Sequence, residues 1–207
     1  MTPLAQQHAY RLLNHGPTVL VGAAHGERVN VMAAAWAMPL DFDTPKVAVV
    51  IDKTTFTREL IEASGVFSLQ VPPVAMADAV MALGSLSGRT HPDKLARSGV
   101  SVSMTPVPLA SEPAGASRPV PLVDGCIGWL ACRVLPATQQ VAGPHDLFLG
   151  EVTAAWADAR VFANGRWHFE QAPDALRSLH YIAGGSSTPS ARACAGKRPR
   201  PEASGAL

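Results

Sequence analysis

The chain has 207 residues, of which 47% are hydrophobic and 16% are charged, and its formal net charge at pH 7 is +1. This composition is typical of a folded globular protein, and the small net charge gives no reason to expect a nucleic acid as the principal partner. A domain of this length buries roughly 70% of its unfolded surface, so it needs no disulfide or metal for stability.

The cysteines and the apolar runs indicate the compartment. Cys126, Cys132 and Cys194 have neither CxxC nor zinc-ligand spacing, and a reducing compartment is the default for such a chain. The N-terminus lacks a basic region followed by a cleavable apolar core, and the apolar runs fall well short of the roughly 20 residues that span a bilayer. We therefore expect a cytoplasmic protein that does not associate with a membrane.

Over the first hundred residues, the apolar pattern predicts short strands and short helices. Clusters of turn residues separate the segments, notably at 14–17, 24–27 and 41–45. The predicted strands are 18–24, 30–38, 46–51 and 66–71, and the predicted helices are 4–13, 57–63, 75–83 and 91–98.

The second half of the chain predicts a loop, further strands and a tail. The prolines between 106 and 121 predict a loop packed over the surface. Residues 126–135 and 146–157 alternate as sheet strands do, and Asn164-Gly165 predicts a tight hairpin between 159–163 and 166–169.

The composition changes after Gly184-Gly185. From there the chain is rich in Ser, Pro, Ala, Gly and Arg and has no apolar periodicity. We therefore predict one domain at 1–185 and a disordered basic tail at 186–207. Within the domain, strands at hairpin spacing with short helices between them favour a mainly β fold, an antiparallel barrel or sandwich. The absence of βαβ alternation argues against a doubly wound nucleotide-binding fold.

One stretch combines the features of a cofactor site. Asp52-Lys53-Thr54-Thr55-Phe56-Thr57 leaves a predicted buried strand and opens a helix, so an ammonium, hydroxyls and backbone N–H groups would converge on an anion such as a phosphate. The small-residue strand from Asn30 to Trp36 offers a flat backbone edge beside it. Together they indicate a cofactor with a planar ring and a phosphate tail. The alternative is a strand exit followed by a helix N-cap, since Thr favours both.

Other chemistries have less support. The histidines have no metal-ligand spacing, and Ser87 lacks the GxSxG context of a serine hydrolase. The glycines Gly84 and Gly88 are not followed by the Lys-Ser/Thr of a P-loop, so they indicate a turn.

Several short motifs follow one another in a specific order and spacing. They are Asn-Val-Met-Ala-Ala-Ala-Trp at 30–36, Thr-Phe-Thr at 55–57, Ser-Gly-Arg at 87–89, Asp-Lys-Leu at 93–95, Phe-Leu-Gly-Glu-Val at 148–152, Leu-His-Tyr at 179–181 and Gly-Gly at 184–185. This series resembles the flavin reductase-like family, whose members share the FMN-binding split barrel and include flavoredoxin-like proteins. The resemblance covers about 18–185 and implies a six-stranded antiparallel Greek-key split barrel with a few short peripheral helices.

The resemblance also implies a function. It implies an FMN-binding homodimer with the cofactor near the subunit interface. The protein would take electrons from NADH or NADPH and pass them to free flavin or to another acceptor, such as a protein. The segment 30–36 would run along the isoalloxazine ring, Lys53, Thr55 and Thr57 would hold the phosphate, and Ser87-Gly88 would close over the cofactor. The implied cofactor-binding residues are Asn30, Met32, Ala33, Ala34, Ala35, Trp36, Asp52, Lys53, Thr55, Thr57, Ser87 and Gly88, with no metal ligand and no catalytic side chain.

Two departures leave other functions open. Relatives often carry a hydroxyl residue where this chain has Ala33, Ala34 and Ala35, so we expect backbone groups to recognise the ring here. The sequence after Gly185 is polar where relatives continue with aromatic residues. The alternatives are a non-catalytic FMN-binding electron carrier and a barrel that has lost flavin and acts as a binding module.

Overall fold

The structure, a computed structural model, describes residues 17–109, 115–182 and 186–189. The helix predicted at 4–13, Cys194 and the tail beyond 189 lie outside these residues. The strands are β1 (Val19–His25), β2 (Arg28–Ala34), β3 (Ala37–Phe42), β4 (Pro45–Val50), β5 (Val66–Val71), β6 (Val102–Pro108), β7 (Ser117–Val123), β8 (Gly128–Val134), β9 (Leu147–Ala157), β10 (Phe162–Ala163), β11 (Arg166–Trp167), β12 (Leu179–Ile182) and β13 (Ser186–Pro189). The helices are α1 (Phe56–Ser64), α2 (Ala77–Ser85), α3 (Lys94–Arg97) and α4 (Thr138–His145).

A seven-stranded antiparallel sheet, in the order β2-β1-β5-β8-β9-β4-β3, forms the body. Its two edge strands, β2 and β3, are separated in the chain only by Ala35 and Trp36. The sheet therefore has to curl until its edges approach one another, which produces a barrel that is open along one side. The predicted mainly β, antiparallel split-barrel class is confirmed. The sheet has seven strands because the strand predicted at 30–38 is divided into β2 and β3.

Strand β2 is covered on both faces, and this places the two longest helices next to it. Its residues alternate between two apolar clusters. Met32 and Ala34 pack with Leu60 and Ile61 of α1. Val31 and Ala33 pack with Val80 and Leu83 of α2. Because a strand points successive side chains to opposite faces, β2 lies between α1 and α2.

Local signals explain the bounds of α1. Gly65 ends the helix in the left-handed conformation, with φ 71°, and donates its N–H to the carbonyl of Ile61 at 2.7 Å. Leu60 and Ile61 are fully buried, whereas Glu59 and Glu62 lie on the outer side. The apolar face of α1 is therefore buried, and its C-terminus is capped by Gly65. The N-terminus of α1 faces the space beside β2.

The proline-rich segment 106–121 was predicted as a loop, but 106–108 and 117–121 belong to a two-stranded ribbon, so that prediction was wrong for these residues. β6 and β7 pair antiparallel, with Pro106 opposite Pro119, Pro121 opposite Met104 and Pro108 opposite Ser117. These four prolines occupy alternate pairs of the ladder. In these pairs the backbone N–H groups make no hydrogen bond to the partner strand, so proline, which has no N–H, is tolerated. The prediction failed because it counted prolines without testing their register.

Buried polar side chains attach this ribbon to the sheet. Ser68 Oγ donates to the carbonyl of Pro121 at 2.7 Å, and Gln70 Nε2 donates to the same carbonyl at 3.2 Å. Gln70 Oε1 accepts the N–H of Val123 at 2.5 Å. The carbonyl and N–H that β7 does not use in its own ladder are thus satisfied by β5.

Three other outcomes concern the second half of the chain. The Asn164-Gly165 hairpin is confirmed: both residues have positive φ, 53° and 73°, as the predicted tight turn between β10 and β11 requires. Helix α4 was not predicted. The backbone of β13 pairs with β12, so the first residues of the predicted disordered tail form a strand.

Two features are absent from the residues that the structure describes. In the ranges 17–109, 115–182 and 186–189, no helix has the length and apolar character to cross a bilayer. The same part of the chain holds no group of three His, Cys, Asp or Glu residues that could bind a metal ion.

Candidate cofactor-binding cleft

Two adjoining pockets form a continuous cleft along β2. We call the first the polar pocket: it has a volume of about 240 Å³ and is lined by Thr55, Thr57, Ser87, Gly88 and Lys94 among others. We call the second the flat pocket: it has a volume of about 400 Å³ and is lined by Thr18, Ala33, Ala34, Ala35, Trp36 and Tyr181 among others. Ala33, Gly84 and Ser85 line both. The cleft therefore has the size of a cofactor site, with a polar end and a mainly apolar end.

The N-terminus of α1 opens into the polar pocket. Thr55 is the N-cap residue but makes no side-chain hydrogen bond to the helix. Its hydroxyl donates instead to the carbonyl of Asp52 at 2.8 Å. The first N–H groups of α1 thus lack a side-chain cap, and they carry the partial positive charge of the helix end.

Asp52 organises the turn that leads into α1. Its Oδ1 accepts hydrogen bonds from the Thr54 hydroxyl at 2.6 Å and the Thr54 N–H at 2.8 Å. These bonds lower the pKa of the Asp52 carboxyl. Asp52 therefore shapes the backbone here, and it does not line the cleft.

Asn30 orients a hydroxyl from beneath the polar pocket. Its Nδ2 donates to Thr57 Oγ1 at 2.7 Å, and both residues are buried. Since Thr57 Oγ1 accepts this bond, its own hydrogen is available to a ligand in the pocket. Gly88 packs directly on the amide: a Cβ on Gly88 would lie 2.3 Å from Asn30 Oδ1 and 2.9 Å from Phe56 Cδ1. Only glycine allows this close approach.

A buried lysine completes the polar pocket. Lys94 is 3% exposed, and within the described part of the chain its ammonium has neither an ion pair nor a hydrogen bond. Burial lowers its pKa to about 8. A buried cation without a partner is unfavourable by itself, and an anion bound beside the α1 N-terminus would compensate it. The short helix α3 begins at this residue.

Lys94 was not among the residues predicted to bind a cofactor. It lies far along the chain from Thr55 and Thr57, so no local pattern connects them. The available signal was the Asp-Lys-Leu motif at 93–95, which belongs to the resemblance but was given no role. Lys53, by contrast, was predicted to hold the phosphate, yet it is exposed and does not line the cleft.

The rim of the polar pocket is basic. Glu59 pairs with Arg28 at 2.6 Å and with Arg89 at 3.2 Å. These pairs lower the pKa of the Glu59 carboxyl. Both guanidinium groups lie over Phe56, which lines the pocket, at 5.7 and 6.0 Å from the ring centroid. Two cations share one carboxylate, so this group of three side chains carries a net positive charge.

The flat pocket is built from small side chains and from a helix surface. The end of β2 contributes Ala33 and Ala34, and Ala35 and Trp36 follow them; Trp36 is 47% exposed. Gly84 of α2 approaches closely: a Cβ there would lie 3.4 Å from that of Ala33. Ser85 Oγ donates to the carbonyl of Met81 at 2.7 Å, so this hydroxyl is used within α2. The surface fits a planar, mainly apolar group.

The structure thus brings together most, but not all, of the predicted residues. Those that line the cleft are Met32, Ala33, Ala34, Ala35, Trp36, Thr55, Thr57, Ser87 and Gly88. Asn30, Asp52 and Lys53 do not line it. That these residues hold a cofactor stays a prediction.

The chain belongs to the flavin reductase-like family: the model of the flavin reductase like domain matches residues 11–177. YddH, an uncharacterized protein of Escherichia coli (strain K12), is 45% identical over 187 residues, which are 89% of this chain and 92% of that one.

Two solved structures show the same fold. An FMN-binding domain of a flavin reductases-like enzyme from Shewanella baltica OS155 is 45% identical, with a TM-score of 0.73 over 93% of this chain and 95% of that one. An FMN-binding protein from Thermus thermophilus is 26% identical, with a TM-score of 0.66 over 91% and 92% of the two chains.

Proposed function

We propose that this protein binds FMN in the cleft and passes electrons from NADH or NADPH through the flavin to free flavin or another acceptor. The observation that carries the proposal is Lys94, a buried ammonium without a partner among the described residues, at one end of a cleft whose other end is mainly apolar and runs along the end of β2. An ammonium, an uncapped helix N-terminus and an oriented hydroxyl match a phosphate, and the flat end matches a fused ring system.

The chain's own residues bind and orient in this proposal. Lys94, the Thr57 hydroxyl and the first N–H groups of α1 hold the phosphate, and Gly88 lets the 87–88 turn close over it. Ala33, Ala34 and Ala35 carry the ring. FMN itself supplies the redox chemistry, since it accepts a hydride and releases electrons singly or in pairs. The family and the FMN-binding relatives of Shewanella baltica and Thermus thermophilus support this assignment.

We also propose that the protein forms a homodimer through β3. Met38, Leu40 and Phe42 of this edge strand are 59%, 46% and 92% exposed. They continue the exposed Trp36, which lines the flat pocket. Isolated apolar side chains are normal at a surface, but three large exposed ones close together on an edge strand favour burial in an interface. A second copy packed on β3 also lies next to the cleft.

An FMN titration followed by anaerobic reduction tests the function. Protein freed of flavin should quench FMN fluorescence with saturable binding, and NADH or NADPH should then bleach the bound flavin without oxygen. Absence of FMN binding by the folded protein would overturn the proposal. Binding without bleaching by either donor would replace the reductase with an electron carrier.

Sedimentation equilibrium tests the dimer. The protein should sediment as two chains, and Leu40→Lys should shift it to one chain with an unchanged circular dichroism spectrum. A monomeric wild-type protein contradicts the proposed homodimer. The FMN titration tests the proposed cofactor independently of this result.

A further inference from the structure

The flat pocket contains a buried hydroxyl without a partner. Thr18 lines the pocket and is 3% exposed, and its Oγ1 makes no hydrogen bond with any part of the chain that the structure describes. Its backbone is fixed, because the Thr18 N–H donates to the carbonyl of Leu179 at 2.8 Å. The next residue, Val19, lies opposite Ala34 in the β1–β2 ladder. Thr18 is therefore held next to the alanine end of β2.

A threonine is an unexpected residue for such a position unless its hydroxyl is used. A buried donor or acceptor without a partner destabilises the folded protein, whereas valine has the same shape and no such penalty. The position therefore favours a ligand that supplies the missing partner. The flat pocket offers few other polar side chains. The Ser85 hydroxyl is already bonded within α2, the alanines have none, and Tyr181 is only half-buried.

We propose that Thr18 is a flavin-binding residue, whose Oγ1 forms a hydrogen bond with a polar edge atom of the isoalloxazine ring. This inference rests on the proposed FMN function and goes beyond it, because it assigns ring recognition to the side chain of Thr18, the residue that precedes β1. It also changes an expectation from the sequence, by which backbone groups alone recognise the ring beside Ala33, Ala34 and Ala35. Oxygen and nitrogen atoms at the edge of the ring accept and donate hydrogen bonds, and a threonine hydroxyl can do either.

The test compares Thr18→Val, which keeps the shape, with Thr18→Ser, which keeps the hydroxyl. Each flavin-free protein is melted, and each is titrated with FMN and with riboflavin, which has the ring but no phosphate. Thr18→Val should raise the melting temperature of the flavin-free protein by about 2–4 °C, because it removes the unpaired hydroxyl. It should weaken binding of both flavins about five- to tenfold. Thr18→Ser should bind both within about twofold of the wild type.

The outcomes separate this inference from the proposed function. If the wild type binds FMN and Thr18→Val binds both flavins equally well, the Thr18 assignment is overturned while the FMN site stands. A lower melting temperature for flavin-free Thr18→Val also overturns it, because the hydroxyl then serves the fold. If the wild type binds neither flavin, the proposed function fails and this inference fails with it.

Discussion

Two buried cations lie near α1, and their surroundings differ. Arg58 is 8% exposed, and its guanidinium donates to Glu62 at 2.8 Å, to the carbonyls of Ile51 and Ala142 at 3.2 and 3.0 Å, and to Asp146. Burial opposes its charge, but these bonds outweigh burial and raise the pKa of Arg58. Lys94 is 3% exposed and has no such partners within the described residues.

The difference supports the polar pocket, and not the pocket beside Arg58, as the proposed binding site. The pocket beside Arg58 has a volume of about 570 Å³, larger than the polar pocket, yet its cation is saturated by the protein. Arg58 also lies over Phe148, at 5.3 Å from the ring centroid. It thus joins α1 to α4 and β9 and needs no ligand. Lys94 has no partner among the described residues, which supports the smaller polar pocket as the proposed anion site.

Replacing Arg58 should have the largest effect, and the effect should be on stability. Arg58→Met keeps the stem but leaves Asp146 and the carbonyls of Ile51 and Ala142 without their donor. We expect the free energy of unfolding to fall by about 3–5 kcal/mol, the range for removing one partner of a buried ion pair. Urea denaturation of the flavin-free protein measures it. FMN affinity of the folded variant should stay within about twofold, and a tenfold loss would mean that Arg58 belongs to the site.

Replacing Lys94 should weaken FMN binding without lowering the stability of the flavin-free protein. Lys94→Met should weaken FMN binding ten- to a hundredfold, or about 1.4–2.8 kcal/mol, because a charge-assisted bond to the phosphate is lost. The flavin-free variant should unfold at the same or a higher urea concentration, since an unpaired buried charge has been removed.

Lys53→Ala is the matched control for Lys94→Met. It removes an ammonium that precedes the same helix but lies outside the cleft, so FMN affinity should change less than about threefold. An equal loss of FMN affinity in the two variants would support Lys53 as a phosphate ligand and would remove the distinction between the two lysines.

The contrast also shows what the sequence could predict about the site. Thr55 and Thr57 lie two residues apart at the start of a helix, so a local pattern was enough to predict that both line one pocket. Lys94 and Thr18 come from distant parts of the chain and meet the cleft only through the packing of α3 and β1. Lys53 is the converse case: it is close to these threonines in sequence but does not line the cleft, since closeness in sequence does not fix which way a side chain points at a strand exit.

The fold was more predictable than the site because apolar alternation acts locally. Val66–Val71 was predicted with its observed bounds, since its alternation is closed by Gly65 and by Pro72-Pro73. The β6–β7 ribbon was missed because the ladder tolerates proline only in a register that no single strand reveals. Helix α4 was missed because Gly143 and Pro144 hide its pattern.

A pH dependence should also separate Lys94 from Arg58 without any mutation. Burial lowers the pKa of Lys94 to about 8, so its ammonium begins to lose its proton within the range where Arg58 stays charged. The phosphate binds the protonated form. FMN affinity should therefore fall as the pH rises from 7 to 9, by at most about tenfold per pH unit.

The stability of the flavin-free protein should change in the other direction. The unfolded chain holds the Lys94 proton up to the ordinary pKa of 10.5, whereas the folded protein releases it near 8. Between these values the unfolded state binds more protons, so the contribution of Lys94 to the free energy of unfolding rises with pH. Fluorescence titrations and urea curves at pH 7, 8 and 9 measure both trends against Lys94→Met, which should lack them. An FMN affinity that is flat or rises with pH in the wild type would show that the Lys94 ammonium does not contact the phosphate.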